Sequence, residues 1–418
     1  MGLIAGGPTR SVVSDTTKAG GQGTAGPRVL LYSHDTFGLG HLRRSRAIAA
    51  ALTAADPTLS ALILTGSPVA GRFTFPERVD HIRLPGVVKQ ADGSYVSESL
   101  GLDIDETTNL RSGIIRTAAR NFMPDILIVD KEPTGFRGEL LPTLEWLRQN
   151  TGAKLVLGLR DVLDEGVALA EEWDRKEAVP AMSKFYDDIW VYGLKSVYNP
   201  LQGIEYPTQV NARMHWTGYL RRDTWADDPF EAEEPYVLVT PGGGGDGEAL
   251  VDHVLKAYEA DPTLKPMARI IYGPFLSGDT RAAFEDRVER LDGRVESLGF
   301  DSKMENLIAG AVGVIAMGGY NTFCEILTFD KPAVIVPRKK PRLEQYIRAA
   351  RAEELHLTRM LDPDRDGTGA EVMINAIRAL PTQAPPSTGQ YPGLLNGLEF
   401  VANRVDQLLT DRGVQAAE

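Results

Sequence analysis

Short apolar runs alternate with longer helical patterns along the whole chain. RVLLYS (28–33), ALILTG (61–66), HIRLP (81–85), DILIVD (125–130), KLVLGL (154–159) and DIWVYG (188–193) are apolar on consecutive positions. That pattern predicts strands buried on both faces of a parallel sheet, with HLRRSRAIAAAL and ELLPTLEWLRQN among the covering helices. The series then repeats as YVLVTP (236–241), ARIIYGP (268–274), VESLGF (295–300), VGVIAM (312–317) and AVIVP (333–337). The expectation is an α/β chain with two doubly wound, Rossmann-like domains, 28–222 and 236–390, joined by the acidic segment 223–235. The cleft between them is the expected ligand site. Residues 1–27, rich in Gly, Thr and Ser, predict a flexible tail, and 391–418 a terminal helix with Leu398, Val401, Val405 and Leu408 on one face.

Composition narrows the class. The chain has 418 residues, 43% hydrophobic, and a net charge of −12, which argues against a nucleic-acid partner. No apolar run reaches the roughly 18 to 20 residues of a membrane span. The single cysteine, Cys324, excludes an intrachain disulfide and fits a reducing cytoplasm; inside a predicted helix it reads as a small buried apolar residue.

Chemistry concentrates in loops after strands, where open α/β sheets bind ligands. In MGGYNTFCEILTFDKP, Gly318 and Gly319 turn the chain from a strand into a helix whose first amide N–H groups suit a phosphate. Asn321 and Thr322 fit its N-cap region. Glu325, one turn beyond Asn321, can accept two hydrogen bonds from the vicinal hydroxyls of a ribose, so the loop predicts a nucleotide site. In FGLGHLRR, Gly38 and Gly40 shape the loop and His41 opens the helix as a candidate general base; a local hydrogen bond at the helix start is the competing account. His34 and Asp35 are weaker candidates, although a carboxylate near His41 would hold its tautomer.

PGGGGDG, containing Gly243 and Gly244, lets backbone approach an anion but lacks the GK[ST] ending of an ATPase loop. Phe300 ends a strand where its ring or backbone can meet a flat base, against simple core packing. Asp130 with Lys131 and Glu132, and Asp161 with Arg160, follow strands and are expected to rim the acceptor side, with Asp130 and Asp161 as catalytic candidates and sheet-edge salt bridges as the alternative. Arg338, Lys339, Lys340 and Arg342 read as a solvated patch or a screen for a charged substrate. Glu344 and Gln345 read as exposed, able to bond sugar hydroxyls. The DID at 103–105 has the spelling of a metal pair but a polar, surface-like context, and no metal is expected.

Taken in order, these loops resemble the GT-B glycosyltransferases of family-28 type, the group that includes the N-acetylglucosaminyltransferase of peptidoglycan-precursor synthesis. FGLGHLRRSRAIA resembles the amino-terminal GGTGGH loop and its helix, and PGGGGDG the GGSQG loop. GFDSKMENLIAGAVGVIAMGGYNTFCEILTFDKPAVIVPRKKPRLEQYIRAA is similar to the carboxyl-terminal nucleotide-sugar signature. The resemblance implies His41 as base, Glu325 as ribose ligand, and Gly319, Asn321 and Thr322 as diphosphate cradle. It places Phe300 and Asp301 at the base, expected to be uracil, and Gln345 at the donor sugar. Gly244 stands where the family has serine. Arg43 and Arg44 stand where the peptidoglycan enzyme is mostly apolar, which argues against the same acceptor.

The expected activity is transfer of a sugar from a nucleotide-sugar donor, UDP-linked, to an acceptor hydroxyl, inverting and without a metal or other cofactor. The acceptor is a saccharide, a lipid-linked or a small molecule, in envelope or exopolysaccharide synthesis. The protein is expected in the cytoplasm, with peripheral membrane contact compatible with a lipid acceptor. A nucleotide-sugar 2-epimerase of the same fold and a non-catalytic nucleotide-sugar-binding subunit stay open as alternatives.

Overall fold

A computed structural model describes residues 26–34, 40–90, 94–224, 234–242, 247–273, 276–299 and 304–417. Every apolar run named above forms a strand. In the first half these are β1 (Arg28–Ser33), β2 (Ser60–Thr65) and β3 (Val79–Arg83), then β6 (Ile126–Asp130), β7 (Lys154–Arg160) and β8 (Asp188–Tyr192). Among the described residues four further strands carried no such signal: β4 (Val87–Lys89) and β5 (Tyr95–Ser97), an antiparallel pair, and the edge strands β9 (Met214–Trp216) and β15 (Arg359–Met360). They are two or three residues each and mix polar with apolar side chains, too short for a period to register.

The first sheet has seven parallel strands in the order β3-β2-β1-β6-β7-β8-β9. The second has six, from β10 (Tyr236–Thr240), β11 (Met267–Ile271), β12 (Val295–Leu298), β13 (Gly313–Ala316), β14 (Ala333–Ile335) and β15 (Arg359–Met360), in the order β12-β11-β10-β13-β14-β15. Central strands such as β6, β8, β10 and β13 are buried at every position, as consecutive apolar residues require when helices cover both faces. Strand order reverses between β1 and β6 in one sheet and between β10 and β13 in the other. Both crevices therefore open at carboxyl ends that carry the loops singled out in the sequence.

The terminal helix, Gly397–Ala417, returns to the first domain. Val401, Val405 and Leu408 join a core with Val29, Leu31, Ile48 and Leu52. Arg404 grips Asp188 with two bonds of 2.6 and 2.9 Å. The crossing chain comes so close that a Cβ on Gly218 (φ +83°) would sit 2.2 Å from the Gly393 carbonyl oxygen. The DID motif is a helix cap: Asp103 accepts from the N–H groups of Asp105 and Glu106, and Glu106 returns a bond to the Asp103 N–H. Of the expected linker, 225–233 lie outside the described residues. Among the described residues no helix is long and apolar enough to cross a membrane.

Candidate active site

The second domain supplies the turn from β13 into the helix Tyr320–Thr328. Gly318 has φ +80°, and a Cβ there would meet Ile335 Cγ2 at 2.7 Å, so both conformation and space demand glycine. Gly319 is the N-cap, without a side-chain capping bond, and a Cβ built on it meets nothing within 4 Å among the described residues. The described residues thus leave the space before the first amides of the helix clear, and those N–H groups have no partner within the helix.

That helix end meets another. Asn321 Nδ2 donates to the carbonyl of Gly40, the first residue of the helix Gly40–Ala55, at 3.1 Å. Asn321 Oδ1 accepts from Arg222 at 2.9 Å. The Asn321 side chain therefore ties the domains together instead of cradling a diphosphate as expected; the backbone beside it remains available. Thr322, the next residue, is buried. Two helix N-termini, one from each domain, converge where each adds a positive dipole end.

His41 lies one residue from this junction. Its Nδ1 is 2.5 Å from Asp130 Oδ2, and Arg44 holds the same carboxylate through Nε at 2.9 Å and Nη2 at 2.6 and 2.7 Å. Burial would raise the Asp130 pKa, but Arg44 and His41 overcome it and hold the carboxyl well below its usual range. Ionised Asp130 takes the Nδ1 proton as its hydrogen-bond donor, which makes Nε2 the basic nitrogen. The carboxylate that orients His41 is thus Asp130, expected on the acceptor rim. Asp35, weighed for that position, lies outside the described residues, as do Gly243, Gly244, Phe300 and Asp301.

Glu325 is 1% exposed, and its Oε1 accepts from Arg43 of the first domain. The same Arg43 nitrogen donates to Glu305 at 2.7 Å. Oε2 of each carboxylate is buried without a hydrogen-bond partner among the described residues. Burial pushes the Glu325 carboxyl up against the pull of Arg43. Beside the pair is a cavity of about 380 Å³ lined by Arg43, Arg46, Arg222, Glu305, Ala50 and Leu398, among others. Arg43 and Arg44 hence both pair with carboxylates.

Three expectations need correction. Asp161 does not rim the acceptor side. Its carboxylate accepts from Arg348 at 2.6 and 2.8 Å, from Tyr219 Oη at 2.9 Å and from the Val162 N–H at 2.8 Å, all within a buried contact between domains. Glu344 and Gln345 are buried, not exposed: Glu344 pairs with Arg160 at 2.5 Å and Gln345 Oε1 accepts from the Arg338 N–H at 3.2 Å. The basic cluster is no bare patch either, since Lys339 binds Asp362 at 2.7 Å and Arg342 reaches Glu172 at 2.8 Å across the domains.

Sequence reasoning missed Arg222, Arg348 and Tyr320. The Tyr320 ring lies under Arg44 and Arg348, with guanidinium carbons 5.3 and 5.8 Å from its centroid. Nothing local in the chain signals partners that distant.

The Arg160–Glu344 contact predicts an acid response. Burial alone would raise Glu344, but Arg160, Arg348 and Lys131 bring it from 4.5 down to about 2. Its share of stability is complete above about pH 4.5 and disappears as pH falls towards 2. Urea unfolding at stepped pH should therefore show a shallower acid loss in Glu344→Gln than in wild type.

Comparison with known proteins bears on the second domain directly: residues 237–381 match the glycosyltransferase family 28 C-terminal domain. The second domain is thus similar to the carboxyl-terminal domain of family 28 glycosyltransferases. A relative from Methanosarcina acetivorans, named an uncharacterized glycosyltransferase, is 26% identical over 274 residues; the match covers 62% of this chain and 65% of the relative's length. Among solved structures, the calicheamicin glycosyltransferase CalG4 aligns with 92% of this chain and 98% of its own, at a TM-score of 0.57 and 16% identity. Acinetobacter baumannii MurG aligns over 91% and 99% (TM-score 0.55, 13% identity), and a UDP-glucosyltransferase from Polygonum tinctorium over 93% and 100% (TM-score 0.61, 13% identity). These likenesses span both sheets, so the whole architecture is GT-B, with the region that matches the family 28 domain as its second half.

Proposed function

We propose that the protein is a glycosyltransferase that moves a sugar from a nucleoside-diphosphate donor, UDP-linked, to an acceptor hydroxyl with inversion. The observation that carries this reading is the convergence of two helix N-termini from opposite domains, with His41 one residue away. A diphosphate leaving group suits that junction, because fixed dipoles and amides stabilise the charge it gains. The sugar's anomeric carbon then faces His41 Nε2, which takes the acceptor proton as the new glycosidic bond forms and the bond to the diphosphate breaks. Asp130 stabilises the resulting imidazolium. The buried, unpartnered Glu325 Oε2 suits a ribose hydroxyl, with the nucleoside extending along the cavity beside Glu305.

Calorimetric titration with UDP, GDP and dTDP tests the donor side. UDP should bind preferentially, and binding of no nucleoside diphosphate would sink the reading. Glu325→Ala should weaken UDP binding by about 1–3 kcal/mol, a charged acceptor lost from a hydrogen bond. An unchanged affinity would assign Glu325 to the Arg43 contact alone.

A further inference from the structure

Glu325, assigned above to the ribose, is closed off. It is 1% exposed and is not among the described residues that line the cavity of about 380 Å³ beside it. Arg43 and Glu305 do line that cavity, and Arg43 touches Glu325 directly, so the guanidinium stands between cavity and carboxylate. One nitrogen makes the closure. Arg43 Nη2 donates to Oε1 of Glu325 and, at 2.7 Å, to Oε1 of Glu305. Arg222, whose Nη groups donate to Asn321 at 2.9 Å and to the Leu220 and Arg221 carbonyls at 3.0 Å, adds its field to both carboxylates, and Arg46 adds its own to Glu305.

The contact that satisfies Glu325 also shuts it. A carboxylate that binds two vicinal hydroxyls side by side uses both oxygens, and Oε1 already belongs to Arg43, so guanidinium and ribose compete for one group. Glu305 makes that competition reversible. Because Arg43 holds both carboxylates with the same nitrogen, it keeps a charge partner when it lets go of Glu325, and no buried cation is left unpaired. It also has room to turn. Arg43, Ala47, Ala50 and Ala54 lie on one face of the helix Gly40–Ala55 and all line the cavity, where methyl groups leave space for a long side chain.

We infer that Arg43 is a gate on the nucleoside site: joined to Glu325 it excludes the ribose, and turned onto Glu305 alone it admits it. The inference rests on the reading of Glu325 as the ribose ligand, and it adds that entry of the nucleotide waits on one side chain of the opposite domain. A site open for only part of the time binds with its intrinsic affinity reduced by that fraction. Removing a gate therefore tightens binding, whereas removing a ligand contact or a general attractor of anions weakens it.

The test is calorimetric titration of wild type and Arg43→Met with UDP and with inorganic pyrophosphate, which has no ribose to meet Glu325. UDP should bind Arg43→Met about tenfold more tightly than wild type, and pyrophosphate no more tightly. Arg43→Gln carries the same expectation should the first variant not fold. The gain should vanish when Glu325→Ala is added, since the gate acts through that carboxylate. Unchanged or weaker UDP binding in the folded variant, equal tightening of pyrophosphate, or a gain that survives Glu325→Ala overturns the gate. Failure of wild type and variants alike to bind UDP counts against the transferase reading, and the gate falls with it.

Discussion

His41→Ala should lower sugar transfer by about 10²- to 10⁴-fold, the range expected when a positioned general base is removed, while UDP binds as before. The separation follows from the geometry. His41 belongs to the first domain and is held by Asp130 and Arg44, whereas the open turn at Gly319 and the Glu325 carboxylate belong to the second. Asp130→Asn should also reduce the rate, because an amide cannot stabilise the imidazolium as a carboxylate does. It should destabilise the fold as well, since Arg44 is 2% exposed and would lose its charge partner. Steady-state kinetics with a saturating donor, beside calorimetric UDP titration, separates these effects. Loss of UDP binding together with transfer in His41→Ala would mean that the imidazole maintains the junction of the helices rather than the reaction.

The fold was legible because its signal is local. A strand buried on both faces must be apolar at consecutive positions, and β1, β6, β8, β10 and β13 meet that condition within a few residues. Gly318 and Gly319 were legible for the same reason, since a tight strand-to-helix turn advertises itself in the turn. The charges between domains were not. Arg43 reaches Glu325, and Arg348 reaches Asp161, over sequence separations of 282 and 187 residues. No period or spacing encodes such pairs. A strand-end aspartate looks the same in the chain whether it faces ligand or guanidinium, which is why Asp130 and Asp161 were read alike and turned out differently placed.

That difference supplies the largest expected effect on stability. Arg348 and Asp161 are 1% and 0% exposed, and their paired bonds link the two domains. Replacing either partner alone leaves the other charge buried, so Arg348→Met or Asp161→Leu should each cost about 3–5 kcal/mol. The double variant Asp161→Leu/Arg348→Met removes both charges and should recover much of the loss, because desolvation of an ion pair offsets most of its attraction. Urea unfolding of the four proteins closes the cycle; additive single effects would mean that the charges do not depend on each other. Arg348 also donates to the Gly318 carbonyl at 2.9 Å. The double variant, even when folded, should therefore bind UDP more weakly than wild type, since the turn that presents the Gly319 end of the helix has lost its brace. Wild-type UDP affinity in that protein would show that packing of Gly318 against Ile335 suffices to hold the turn, and that Arg348 only joins the domains.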